Sequence, residues 1–513
     1  YNQRSLTNIL INGTTVKPEK GIEIDWRISP TLSLSTDPDI RKTAFTYGPL
    51  DTFFSAGAGG NPSRIWRYLQ EVNVPFRYDV TRKLTLFDEA AKFKYGVGNA
   101  FKFRHYEILF YDMQFFGLQN WSSDDPNQVL NPDNIYPNYP NRIYYQSGNN
   151  TPNPNEYASN SNTAHAYFST EVALNIRTKA VLGLRAEHFI QRHTGRDQTY
   201  ASGDVTNGKN LTNDVVLNSL DLFPSLNVIY SLNESQNLRL SATRTIARPS
   251  FKELSFAQII DPLTNRIFNG SFFEYAAWSG QLVETRVNNA DVRWEKFFER
   301  GQMFSISGFF KDFSNPIEMV RIAEQQTSTE FQPRNVGRGT MLGAEIEWNA
   351  SFAAMSQKLE NLFFNGNITL IESQITMSEV EFNSRKSYER VGETIVNTRA
   401  MAGQSPYVLN GGVSYTAPES QTNVGVYYNV KGQTLQIVGM GLFPDVYTEP
   451  FHSLNFSFST KVGKEKGIDL KLRASNLLND DVVSSYVSFG APDQIFSRYA
   501  PGWALSAGLS FQL

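Results

Sequence analysis

The 513-residue chain contains no cysteine. Disulfides, thiol nucleophiles and cysteine metal ligands are excluded together. No apolar run approaches the ~20 residues that a membrane-spanning helix requires. Charge is sparse: Asp, Glu, Lys and Arg make up 19% of the residues, and the formal net charge is -3. That leaves no basic footprint for nucleic acid. Enzyme signatures are missing too, with no HExxH, no GxSxG, no phosphate loop and no GxGxxG opening a helix. No catalytic, cofactor or metal residue is assigned, and the chain reads as a non-enzyme.

Aromatic side chains are what the chain has in excess, with 37 Phe, 24 Tyr and 7 Trp. Mean hydropathy is nevertheless -0.37. Aromatic-rich, charge-poor and hydrophilic on average is the balance of a transmembrane β-barrel, where lipid-facing and water-facing residues alternate. A large soluble all-β protein has a similar composition, so the decision falls to the pattern along the chain.

The clearest pattern runs from Val287 to Met319. Ala290, Val292, Trp294 and Phe298 alternate with Asp291, Arg293 and Glu295; after the turn Glu299-Arg300-Gly301-Gln302, Phe304, Ile306, Gly308 and Phe310 alternate with Ser305, Ser307 and Lys311. Strand side chains alternate with period two, so each run has one apolar and one polar face. The same alternation recurs at Ile22–Ile28, after an expected turn over Gly13–Gly21, and again along the chain to Trp503–Leu513. The recurrences amount to roughly seventeen strands joined as consecutive hairpins. Compact turns fall near Lys179, Glu234, Gly301, Pro418 and Gly463, while long polar connections separate the hairpins, such as Leu118–Thr163 and Arg196–Asp214. Short turns on one side and long loops on the other is the asymmetry of an outer-membrane barrel. The expected fold is therefore all-β: a transmembrane antiparallel up-and-down β-barrel with a wet lumen.

Trp26, Trp294, Ile306, Leu342, Phe456 and Leu509 should face lipid; Arg27, Glu295, Glu345, Asn429 and Arg473 should face the lumen. Bacterial single-chain barrels have even strand numbers. An odd count, and an opening Tyr1-Asn2-Gln3-Arg4 that begins in mid-pattern, lead to the expectation of further strands and an export signal upstream.

Candidate sites are few. The histidines His105, His165, His188, His193 and His452 are scattered, and His188 and His193 fall on opposite strand faces. Glu345 and Glu347 share a face, as paired carboxylates do, but a solvated lumen lining accounts for them. Asp124, Asp125 and Asp133 lie in a loop where solvation accounts for them better than calcium. Arg239 and Arg473 suit anions or lumen carboxylates. Trp121, Tyr136, Tyr139, Tyr144 and Tyr145 form the one substrate-binding candidate, since aromatics offer much contact area at low entropy cost. Packing of the loop against its neighbours is the alternative.

Several segments carry a family resemblance. Asn237-Leu238-Arg239-Leu240-Ser241 with Arg248-Pro249-Ser250-Phe251 is one. Val292-Arg293-Trp294-Glu295, Phe309-Phe310-Lys311 and Asn315-Pro316-Ile317 form another, followed by Asn335-Val336-Gly337 with Gly343-Ala344-Glu345-Ile346-Glu347 and by Asn476-Leu477-Leu478-Asn479. In this order they resemble TonB-dependent outer-membrane receptors. Asp37-Pro38-Asp39-Ile40-Arg41 is similar to the subset with a carboxypeptidase-regulatory-like N-terminal domain.

The resemblance implies a barrel of 22 strands enclosing a plug. About 17 of those are expected here, with residues 1–513 as the C-terminal part of the barrel and the plug and first strands outside this chain. No plug segment or TonB box is visible, and the last residue is Leu513 where many such barrels end on an aromatic. The implied function is TonB-dependent import of a nutrient ligand across the bacterial outer membrane. The implied partners are outer-membrane lipids and, through the plug, TonB. Two alternatives stay open: a plugless passive porin, and a receptor-like barrel serving as a structural subunit beside a surface lipoprotein or other outer-membrane subunits.

Overall fold

The alternating runs become the strands of one antiparallel sheet. A computed structural model describes residues 2–511 apart from 44, 48, 50–51, 55–61, 87, 117–124, 136–141, 262–265, 276–277, 325–328, 418 and 463–466. Strand β1 comprises Gln3–Asn8 and Ile11–Lys17, and β2 comprises Ile22–Ile28 and Thr31–Lys42. They are followed by β3 Ser63–Leu86, β4 Glu89–Phe116, β5 Tyr157–Asn175, β6 Thr178–Arg196, β7 Asn210–Asn233 and β8 Gln236–Ala247. Then come β9 Thr285–Phe297, β10 Met303–Ser314, β11 Arg338–Ser351, β12 Leu362–Thr376 and β13 Tyr407–Ala417. The last are β14 Thr422–Lys431, β15 Phe451–Val462, β16 Ile468–Ser475 and β17 Ala504–Phe511. The sheet has 21 segments; two join across interruptions and two are short loop extensions, which leaves seventeen long strands. Each pairs antiparallel with the next in sequence, from β1 with β2 to β16 with β17.

The connections alternate in length. At one end they span only 18–21, 87–88, 176–177, 234–235, 298–302, 352–361, 418–421 and 463–467. At the other they span 43–62, 117–156, 197–209, 248–284, 315–337, 377–406, 432–450 and 476–503. One expectation is corrected. The opening turn is not Gly13–Gly21: β1 runs on to Lys17, and the chain reverses over the 3-10 turn Pro18–Lys20. Gly13 stays in the strand because Trp26 of β2 lies across it, and an added Cβ would sit 2.6 Å from the indole nitrogen.

Register gives each face a chemistry. On the inner face, Asn237, Glu295, Ser305, Glu347, Asn367, Asn410 and Asn429 lie side by side across β8 to β14. On the outer face, Leu240, Val292, Gly308, Ala344 and Leu370 form the parallel row. That row is bounded towards the long loops by Arg244, Asn288, Asp312 and Thr340, and towards the short turns by Lys296, Phe304 and Trp348. An apolar band between an aromatic ring and a polar row is the outer surface of a membrane barrel. Trp26, Ile306, Leu342 and Leu509 are exposed on it at 36%, 44%, 60% and 62%. Trp294 and Phe456 share that face, while Glu295 and Asn429 belong to the inner row, and Arg27, Glu345 and Arg473 share its side.

The sheet is curled. The loop hairpin of Gln258–Asp261 and Arg266–Asn269 touches both flanks of the molecule. Gln258 N donates to Asn155 Oδ1 beside β5 at 3.0 Å, and Arg266 Nη2 donates to Phe496 O in the β16–β17 connection at 2.7 Å. In a flat sheet, eleven strand spacings of ~4.8 Å would separate β5 from β16 by about 53 Å. A hairpin of four-residue arms reaches both because the sheet wraps round. Among the described residues no backbone pairing links β17 to β1, and every residue of β17 is exposed.

The band predicts a depth profile. Leu370→Arg, at mid-height on the outer face, should destabilise the folded chain by roughly 2–4 kcal/mol, whereas Thr340→Arg at the polar boundary should cost about 0–1 kcal/mol. Folding titrations into lipid vesicles measure both. Equal penalties at the two heights would contradict the assignment of the membrane face.

Candidate functional site

The long connections carry most of the buried apolar side chains outside the sheet. Arg248 opens the β8–β9 connection and turns it into the lumen. Its Nη1 donates to Glu187 Oε1 of β6 at 2.5 Å, its Nη2 lies 3.6 Å from Asp221 Oδ2 of β7, and its guanidinium covers the Phe189 ring at 4.5 Å. Arg286 binds the other Asp221 oxygen at 2.9 Å and Glu284 at 2.6 Å. The strand ends at Ala247, and Pro249, which has no N–H to donate, lies just beyond it. Beyond it, Phe251 packs with Ile65, Tyr106, Ile108 and Tyr157 on the inner faces of β3 to β5. Leu254 packs with Phe189, Leu217 and Leu282. The connection therefore lines the inner wall instead of projecting into solvent.

Two small sheets roof this wall. In one, Gln258–Asp261 pairs with Arg266–Asn269, which runs parallel to Thr329–Asn335, which pairs with Ile317–Arg321. In the other, Thr434–Ile437, Asp445–Thr448, Val482–Val487 and Gln494–Tyr499 follow one another. Backbone bonds between Val438 and both Met319 and Arg321 join the two. Val320, Val336, Leu435, Val438 and Met440 fill the junction above Met341 and Ile375 of the barrel wall.

An ion-pair network knits three connections together. The helix Glu379–Lys386 starts at Ser378, whose hydroxyl accepts from Glu381 N at 3.2 Å; Ser378 followed three residues later by Glu381 is a capping-box sequence. The helix presents Glu381 and Arg385 to its neighbours. Arg385 binds both Asp445 oxygens, at 3.0 and 2.8 Å. Arg399 Nε donates to Glu381 Oε1 at 2.5 Å, and its Nη2 stands 2.7 Å from Glu318 Oε2, an ion pair outside hydrogen-bond alignment. Burial alone would lower the pKa of Arg399, but Glu381 and Glu318 raise it on balance. Burial lowers the pKa of Arg334, which stands 6.0 Å from the Trp278 ring and donates to Gln332 Oε1 at 3.0 Å.

The barrel below is lined with paired charges. Arg27 and Arg77 flank Asp25 at 3.0 and 3.5 Å, Arg77 reaches Asp79 at 3.0 Å, and Tyr167 donates to Asp79 at 2.5 Å. They border a lumen hollow of about 490 Å³. Arg239 pairs with Glu295 at 2.6 Å and Arg293 with Glu347 at 2.9 Å. The lumen arginine Arg239 thus neutralises a lumen carboxylate, and Glu347, which shares its face with Glu345, is ion-paired.

The remaining sequence candidates separate. Trp121, Tyr136, Tyr139 and Asp124 lie outside the described residues. Tyr144 and Tyr145 are adjacent on the strand Arg142–Ser147, which pairs with the upper end of β4, so their rings point to opposite faces. Tyr144 is exposed at 39%. Tyr145 packs beside Met113 and Ile143 with the Arg64 guanidinium 5.5 Å away. They cannot form one stacking platform. Asp125 and Asp133 serve local turns with Asn127 and Asn131. Among the described residues no three His, Asp or Glu side chains group as a metal site. His188 lies exposed beside Asn218 at 2.9 Å, and His193 is buried on the other face against Ser159 at 2.7 Å. The two small sheets and the ion-paired helix together form a crown over the barrel mouth, which the sequence reading did not contain. Its sequence signals were the capping box at Ser378 and the Arg248-Pro249 strand end.

Residues 8–477 match the family model described as TonB dependent receptor-like, beta-barrel. No curated protein sequence matches the chain. Solved structures do. The ferric-catecholate import receptor Fiu from K12 E. coli has a TM-score of 0.63 at 12% identity over 100% of this chain and 65% of its own. The ferric citrate transporter FecA has a TM-score of 0.60 at 10% identity, over 99% and 61%. The copper transporter OprC has a TM-score of 0.60 at 12% identity, over 99% and 66%. The chain spans just under two thirds of these proteins, and likeness at such identity concerns the fold.

The network makes a prediction for the crown. Arg399→Leu leaves Glu318 and Glu381, exposed at 5% and 4%, without their shared cation. Stranding a buried charge costs about 3–5 kcal/mol. Hydrogen exchange and limited proteolysis across 377–406 should both accelerate, while β8 to β12 keep their protection. Unchanged exchange in that segment would show that the pairs do not hold the crown.

Proposed function

Because the chain belongs to the TonB-dependent receptor β-barrel family, whose members are outer-membrane barrels, we propose that it imports a nutrient ligand across the outer membrane at the expense of energy delivered by TonB. The observation that carries this reading is the ordered crown above a wide polar lumen. A passive pore needs a lumen and little else. Here the connections of the open end fold into two sheets and an ion-paired helix, which is the machinery of a site that selects its ligand before passage.

On this reading strands preceding Tyr1 close the barrel and a plug fills it. Two features support that. Edge strands β1 and β17 have no partner on their outer sides among the described residues, and lipid satisfies no backbone group. The inner wall also carries paired charges that need contact with water or protein. The ligand meets the crown and the aromatic loop that contains Trp121, Tyr136, Tyr139 and Tyr144. Tyr145 supports that loop from below.

Uptake assays test the coupling. Accumulation of the ligand should require TonB and the proton-motive force. Uptake that persists without TonB, at rates proportional to concentration, would establish the passive porin instead. For the loop, Tyr144→Ala should weaken ligand binding about 2- to 10-fold, as expected for one stacked ring, without changing stability. Tyr145→Ala should instead loosen the loop, seen as faster proteolysis near Arg142–Ser147. Calorimetry on the intact receptor in detergent separates the two effects.

A further inference from the structure

Among the described residues the outer surface has a hollow at the short-turn end. It lies below the ends of β9 to β12, has a volume of about 730 Å³, and is lined by Phe298, Trp348, Ala350, Phe352, Met355 and Phe364. That volume falls within the ~300–1,000 Å³ of sites that bind small molecules. Trp348 and Phe364 meet edge to face at 5.5 Å and form one wall. The β11–β12 connection folds into two 3-10 turns, Phe352–Ala354 and Gln357–Leu359, and carries Met355 to the rim. Phe298, Trp348 and Met355 are exposed at 47%, 51% and 78%. The hollow is continuous with the lipid-facing band: Trp348 is the neighbour of Phe304 in the aromatic row that closes the band.

The rim carries a carboxylate, and an ammonium stands beside it over one of the lining rings. Glu299 and Gln302 line it on the β9–β10 turn. Glu299 has no ion-pair partner among the described residues. Lys296 lies on the same outer face, and its ammonium sits 5.0 Å from the Phe298 ring. It likewise has no carboxylate partner among the described residues. A lysine stem that runs over an aromatic ring holds its head at the boundary between hydrocarbon and water.

We propose that this hollow is a binding site for one phospholipid of the periplasmic leaflet whose headgroup carries both a phosphate and a primary ammonium. An acyl chain enters between Trp348, Phe364 and Met355. The phosphate meets Lys296 and the ammonium meets Glu299. The short turns of such barrels face the periplasm, so the hollow opens at the headgroup level of that leaflet. A purely anionic lipid would bring its charge to Glu299 unpaired, and this selects for the zwitterion. Bound there, the lipid ties the β9–β10 and β11–β12 turns together.

Native mass spectrometry of the intact receptor in detergent, with added phosphatidylethanolamine or phosphatidylglycerol, tests this. The wild type should retain one phosphatidylethanolamine through activation that strips phosphatidylglycerol. Ala350→Trp, which fills the hollow, should lower that adduct at least 10-fold, while Ala344→Trp on the same outer face should leave it unchanged. Glu299→Gln, a change confined to the exposed turn, should remove the preference between the two lipids. Heat-modifiable gel migration verifies that each variant is folded. Equal retention of both lipids by the wild type, equal losses in the two tryptophan variants, or an unchanged preference in Glu299→Gln would overturn the proposal.

Discussion

Lipid offers no partner to a backbone N–H or C=O, and each group left bare in hydrocarbon costs several kcal/mol. Nearly every feature of the chain answers that constraint. Each strand pairs with its sequence neighbour, so every interior ladder closes locally and the connections at one end shrink to a few residues. Pro30 falls at the interruption of β2, where Pro30 O still accepts from Ile9 N, so the ladder bends without losing its carbonyl. Of the seventeen long strands, β1 and β17 are the two with one described long neighbour, and their residues are almost all exposed.

Once the backbone is satisfied laterally, side chains have only two directions, and the period of two sorts them. Trp294 and Glu295 are neighbours in sequence, yet one lies on the outer face with its ring 6.1 Å from that of Phe304 and the other is 4% exposed beneath Arg239 and Arg293. Polar residues at mid-strand are tolerated because the inner face is wet and because they pair across strands, as Asn410 does with Asn367 at 2.8 Å. Close packing on the inner face also limits side-chain size. Gly343 lies beneath the Phe309 ring, where an added Cβ would approach within 2.2 Å.

Strand number, hairpin order and facing were legible because they depend on local alternation. The first turn was misplaced for a physical reason. Gly13, Thr14, Thr15 and Lys17 resemble turn chemistry, but Thr14 donates to Asp25 at 3.2 Å across the hairpin and keeps the strand going. The crown was not legible. Arg266 and Phe496 are 230 positions apart, and Glu318 meets Arg399 only after three strands and a helix intervene. Nothing in the local composition of either segment announces its partner. The aromatic loop drew attention through composition alone, which could not reveal that Tyr144 and Tyr145 point in opposite directions.

The same bonding sets where the open end can move. Lifting the helix Glu379–Lys386 breaks Arg385 from Asp445 and Glu381 from Arg399 at once. Separating one buried pair costs about 3–5 kcal/mol. A ligand shifts an equilibrium only by its differential affinity for the two states, typically about 1–3 kcal/mol. The crown around Arg399 therefore behaves as a fixed rim. On the import reading proposed above, any ligand-driven motion falls to segments held by fewer cross-links. The strand Arg142–Ser147 qualifies: among the described residues its one backbone pairing is with the upper end of β4, and Tyr144 on it is exposed. On that same import reading, the ion-paired rim and the more lightly held strand Arg142–Ser147 place selection and adjustment on different parts of one opening.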